Sequence, residues 1–169
     1  MQKTKRLFVV ALFGAIISLT KMFLPFPFDK MFIVVQAVLF ALSALFVRKL
    51  GATYVGTIDG FLTAFLRPAL GLFSFLFAVL YGALVDVFVF LFRINSTNKV
   101  ARSKMVAAMT LSTGIIGFLS YYTTAVLLDV LPMEPGLAVP VLVMGIVSGA
   151  IAGYAAAILW NKYLKNILL

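Results

Sequence analysis

The chain has 169 residues, 64% of them hydrophobic and 11% charged, and its 14 Lys and Arg against five Asp and Glu give a formal charge of +9. A soluble domain has about 25% charged residues, so this composition cannot cover a water-facing surface and excludes both a soluble domain and a disordered chain. With no His and no Cys, disulfides are impossible and the usual zinc, haem and iron–sulfur ligand sets and Ser-His or Cys-His catalytic pairs lack members; no metal, no cofactor and no enzyme activity are expected.

A membrane-crossing helix needs about 20 mostly apolar residues, and six runs qualify as spans, in chain order 7–24, 31–47, 52–66, 72–92, 105–131 and 139–159. The first follows a basic start (Lys3, Lys5, Arg6) and carries Ala11-x-x-x-Ala15 with Gly14 and Ser18 beside it. It runs into Thr20-Lys21 without a small-x-small cleavage pattern, so it reads as a retained span rather than a signal peptide. Gln36 lies five residues into the second span, where its neutral amide could read a ring edge. The third span is the weakest, being short and carrying Asp59; Arg67 tops it. The fourth holds Phe73, Ser74, Phe77, Tyr81 and Asp86. The fifth carries Tyr121-Tyr122-Thr123-Thr124 in its upper part, and the sixth carries Gly145, Gly149 and Gly153 at four-residue spacing.

Eleven of the 14 basic residues fall on one side of this arrangement and three (Lys21, Lys30, Arg67) on the other. Cytoplasmic loops carry the excess of Lys and Arg, so both termini are expected in the cytoplasm. The fold class is an all-α integral membrane protein, one compact six-span domain over 1–169. Its positive charge is explained by topology and anionic lipid of the bilayer, and no nucleic-acid partner is expected. All six prolines fall on the outer side, which predicts shaped outer loops, a lidded pocket being one outcome, and plain basic turns inside.

Ionisable groups at membrane depth mark a pathway, a site or a buried pair. Asp59 lies eight residues past Gly51, about 12 Å in, and Asp86 stands at a similar depth on the next span. With no Lys or Arg expected at that level, each intramembrane acid is expected to be protonated, bound to hydroxyls such as Thr110 and Thr113, or beside water. Either acid could be an interhelical clamp or a contact to a cationic solute. In the outer half, Gln36, Arg67, Phe77, Tyr81, Tyr121 and Tyr122 would suit a small planar solute, with stacking faces, a few hydrogen bonds and an apolar wall. The small-residue faces of the first and sixth spans suit close helix contact, one inside the bundle and one toward a partner.

Several of these residues together resemble a known family. Six spans, a basic start and Ala11-x-x-x-Ala15 resemble the S components, the substrate-binding membrane subunits, of energy-coupling factor (ECF) vitamin transporters. The middle of the chain is most similar to the thiamine/hydroxymethylpyrimidine branch: a basic pair and Gly-Ala in Arg48-Lys49-Leu50-Gly51-Ala52, then Gly82, Asp86 and Phe92-Arg93, with Leu50 and Asp86 standing where Pro and Glu are usual. The resemblance implies a prokaryotic plasma-membrane protein that captures a vitamin or precursor from outside, thiamine or its hydroxymethylpyrimidine moiety first among the candidates, with Asp86 among the substrate-binding residues. It further implies docking through Ala11 and Ala15 to a membrane coupling (T) subunit, with separate ATPase subunits; the chain itself has no G-x-x-x-x-G-K-[ST] loop. A stand-alone proton-coupled carrier or channel, using Asp59 and Asp86, is the alternative, and a structural assembly subunit a further one.

Overall fold

The structure, a computed structural model, describes residues 3–23, 32–47, 49–66, 71–95, 99–127 and 135–165. Among them are six α-helices and no strand: α1 (Lys3–Phe23), α2 (Ile33–Val47), α3 (Gly51–Leu66), α4 (Gly71–Leu91), α5 (Arg102–Tyr122) and α6 (Pro135–Leu159). A π-helical turn, Thr123–Leu127, extends α5, and another, Trp160–Leu164, extends α6. The described residues are all-α, as the apolar runs predict. Three helical stretches, Gly71–Leu91, Arg102–Val126 and Ala138–Leu164, are long and apolar enough to cross a membrane, while Leu7–Phe23 and α2 are apolar but shorter.

Three helix starts and two prolines depart from expectation. Helix α1 begins at Lys3, α5 at Arg102 and α6 at Pro135, each a few residues before its apolar run, because Lys and Arg are good helix formers ahead of the first two and Pro suits the first helical position of the third. Pro135 opens α6, where a missing N–H costs nothing, and Pro140 lies inside the helix, so neither shapes a loop. Pro25, Pro27, Pro68 and Pro132 lie outside the described residues.

Helix α2 is the centre of the bundle. It packs on all five other helices and buries Ala37 and the run Phe40–Leu45, so its 15 residues face protein more than lipid. Around it, α3 pairs with α4 and α5 with α6 as the most extensive contacts. The second pairing explains the glycine stripe of α6. A Cβ on Gly149 would stand 2.6 Å from the Met109 carbonyl oxygen, and one on Gly153 2.7 Å from that of Met105. The stripe is therefore spent inside the bundle, where small residues let two backbones meet.

Contacts gather the same ends of the helices together. Phe46 near the end of α2 packs edge-on against Trp160 at 5.2 Å. Asn161, after α6, clamps the chain just before α5, donating from Nδ2 to the Val100 carbonyl and accepting the Val100 N–H, both at 2.9 Å. Helix α4 ends there too, in a Schellman turn: Ile94 N–H reaches the Val89 carbonyl and Arg93 N–H that of Phe90, with Arg93 at φ 50° in the place glycine usually takes. Lys49, Arg93, Lys99, Arg102, Lys104 and Lys162 lie exposed at this basic end. Between the ends, large apolar side chains point outward, Phe90 with 85% and Phe65 with 70% of its surface exposed. Water-soluble monomers rarely present such a surface; lipid accepts it.

Candidate functional site

Asp59 does not lack a base. The Lys21 ammonium donates to its Oδ2 at 2.6 Å, Thr63 Oγ1 donates to Oδ1 at 3.1 Å, and Ser18 Oγ lies 3.2 Å from Oδ1. The expectation that no Lys stands at this level fails because α3 has only 16 residues. That puts Asp59 about 10 Å from the Leu66 end of the helix, within reach of the flexible four-carbon stem of a lysine that sits two residues before the end of α1. Thr110 and Thr113 take no part. The cluster clamps α1 to α3, which Gly14 brings together over Ile58 and the Val55 carbonyl.

Asp86 also finds partners other than those two threonines. Its Oδ2 accepts the Thr53 N–H at 2.8 Å and the Thr53 hydroxyl at 2.7 Å, and its Oδ1 accepts the Ala52 N–H at 3.2 Å. These are first-turn amides of α3, which no residue of that helix's own chain end caps with an acid; the carboxylate satisfies orphan donors and complements the helix dipole. It acts as an N-cap supplied by a different helix, at the basic end. As the cap of α3 it stands apart from Gln36 and Phe77, with which it was expected to bind solute.

A third polar feature lies deep between α2, α4 and α5. The ring of Tyr81, buried, stacks at a tilt on Phe40 with centroids 4.6 Å apart, and its hydroxyl pairs with Thr113 Oγ1 at 3.0 Å. Gln36 and Phe77, both half-buried, each stand four residues before a member of this layer, so each sits one turn, about 5–6 Å, nearer the end opposite the basic one. On α5 the position one turn above Thr113 is Gly117, where an added Cβ would meet no atom within 4 Å. Above it come Tyr121, half-buried, and Tyr122, which is 49% exposed and turned outward. The structure thus brings Phe40, Tyr81 and Thr113 into contact and places Gln36, Phe77 and Gly117 one turn from them by helix position, with no atom within 4 Å of a Cβ added at Gly117. Phe40 and Gly117 carry no polar signal in the sequence. The one clue was that Gly117 falls outside any four-residue glycine spacing. Arg67 lies outside the described residues.

Two surface features complete the candidates. Ala11 is exposed and Ala15 half-buried on α1, on a face shared with exposed Leu7, Phe8 and Leu12. A groove of about 400 Å³ runs between α3 and α4, lined by Phe61, Ala64, Phe65, Gly71, Leu72 and Phe75; it is apolar and contains none of the expected solute-binding residues. No protein-family model matches the chain, and neither does any curated protein or solved structure.

Proposed function

We propose that this protein is the substrate-binding S component of an ECF-type importer in a prokaryotic plasma membrane, crossing it six times with both termini inside. In this reading it takes up a vitamin or precursor from outside, with thiamine or its hydroxymethylpyrimidine moiety as the first candidate, and a coupling subunit with separate ATPases drives release inward. The chain itself catalyses no reaction.

The observation that supports the reading is the Phe40–Tyr81–Thr113 contact layer, with Gln36, Phe77 and Gly117 one turn nearer the end away from the basic residues and no atom within 4 Å of a Cβ added at Gly117. A stacking face, a hydroxyl pair and the Gln36 amide one turn above would hold a small heteroaromatic ring. The Ala11–Ala15 face of α1, exposed at Ala11 and half-buried at Ala15, supports a docking role, because the competing glycine stripe of α6 is used internally. The carrier alternative is weakened, since Asp59 is paired with Lys21 and Asp86 caps α3. The shortness of α2 fits a central helix that other helices shield from lipid.

Mass spectrometry of small molecules that co-purify with the detergent-solubilised protein, followed by titration with the identified solute, tests this reading. One-to-one nanomolar binding without ATP or an ion gradient is expected; solute flux through liposomes containing this chain alone would instead establish a carrier. Two substitutions sharpen the outcome. Gly117→Trp is expected to weaken solute binding on the order of 100-fold by filling the space, with the Tm little changed. Ala11→Trp is expected to abolish uptake in cells carrying a coupling module while leaving binding intact; loss of binding in that variant counts against docking through α1.

A further inference from the structure

Three cations converge where α5 begins and α6 ends. Asn161 holds Val100 by two hydrogen bonds of 2.9 Å, and the residues beside this clamp are basic. Lys162 follows Asn161 and Lys99 precedes Val100, each about 3.8 Å along the chain from the bonded pair, and Arg102 comes two residues after Val100. All three are exposed. Like charges gathered in this way repel one another, and the protein supplies no acid to offset them: among the described residues Asp59 is paired with Lys21, and Asp86 is taken up by Ala52 and Thr53.

The cations are also oriented. The Arg102 guanidinium lies 5.8 Å from the ring centre of Tyr154 on α6, and the Lys162 ammonium 5.3 Å from that of Tyr163. A ring occupies one face of a guanidinium and leaves its N–H edge free, the fork that grips a phosphate by two parallel hydrogen bonds. Leading away from these cations, α6 exposes Tyr154, Ile151 and Val147, a three- and four-residue spacing that lines one side of the helix. Cations, then an aromatic ring, then an aliphatic track are the complement of a phosphodiester, a lipid interface and an acyl chain. A free anion would use the cations and leave the track unused. Lys49 and Arg93 are exposed at the same end but have no aromatic ring beneath them among the described residues.

We propose that Lys99, Arg102 and Lys162 bind the phosphodiester of an anionic phospholipid whose acyl chain lies along Tyr154, Ile151 and Val147. The bound lipid offsets the charge that the Asn161–Val100 clamp gathers and ties the start of α5 to the end of α6. The site is independent of any solute held between α2, α4 and α5.

Thermal unfolding of the full-length protein in detergent, with phosphatidylglycerol or phosphatidylcholine of the same acyl chains added, tests the site. The buffer holds about 0.15 M NaCl, which screens exposed charges more than about 8 Å apart. Phosphatidylglycerol is expected to raise the wild-type Tm by about 4–8 °C over phosphatidylcholine. The double variant Arg102→Gln with Lys162→Gln is expected to lose most of that rise, whereas Lys49→Gln with Arg93→Gln, which removes the same charge from the same end, is expected to keep it. Inorganic phosphate at the lipid's concentration is expected to give no rise. Equal wild-type Tm values in the two lipids overturn the proposal. Equal losses in the two double variants overturn it in favour of diffuse attraction, and a rise reproduced by inorganic phosphate overturns it in favour of a free-anion site. Should the first double variant not fold, Lys99→Gln alone decides by the same comparison: about half of the rise is expected to go, and a full rise overturns the site.

Discussion

Single side chains in this protein reach across helices to settle debts of the backbone. Asp86 is the clearest case, since its two oxygens take two amides and a hydroxyl at the start of α3. Asp86→Ala leaves those first-turn donors at the mercy of whatever water the interface supplies, and is expected to lower stability by about 2–4 kcal/mol. Thr53→Val removes one hydroxyl and keeps both amide contacts, for an expected loss of about 1 kcal/mol. Thermal unfolding of the two variants beside wild type checks the order; equal losses would mean that the hydroxyl, and not the amides, carries the cap. Both acids were legible in the sequence as expensive residues needing partners. Their partners were not, because a neighbouring helix contributes them and no local spacing encodes which helix that is.

At the scale of helices, backbone proximity decides which glycines are replaceable. Gly149 and Gly117 are each interior to a long apolar helix, yet a Cβ meets the Met109 main chain at the first and nothing at the second. Gly149→Leu is therefore expected to cost about 3 kcal/mol or more, because two helix backbones cannot yield as a flexible side chain can, whereas Gly117→Leu is expected to be near neutral. The measurement is the yield of monodisperse protein and its Tm. Helix identity and extent were read well from the apolar runs, with starts displaced by a few residues at α1, α5 and α6, where first turns are basic or begin at Pro135.

For the whole molecule, the gathering of basic residues at one end predicts an orientation in the bilayer with that end in the cytoplasm. The chain has no cysteine, so single cysteines introduced in turn report side without background. A cysteine at Lys99 or Lys162 is expected to react with an impermeant maleimide only after the cells are opened, and one at Met133 in intact cells. The reverse pattern would put the Phe40–Tyr81–Thr113 floor within reach of the wrong compartment and remove the importer reading.

Composition, hydropathy and the placement of Lys and Arg determined by themselves that this is a helical chain suited to lipid, where its helices lie, and which ends share a basic side. Those properties follow from the local preference of each segment for helix and hydrocarbon, and that preference is written in consecutive residues. Only the tertiary structure decided that Lys21 pairs with Asp59, that Asp86 caps α3, that the α6 glycines are spent against α5, and that Tyr81 meets Phe40 and Thr113 in one layer. Each of those depends on which helix faces which, a choice made by close packing among nearly interchangeable apolar surfaces, where a few small residues permit approach and a few long side chains span the gap.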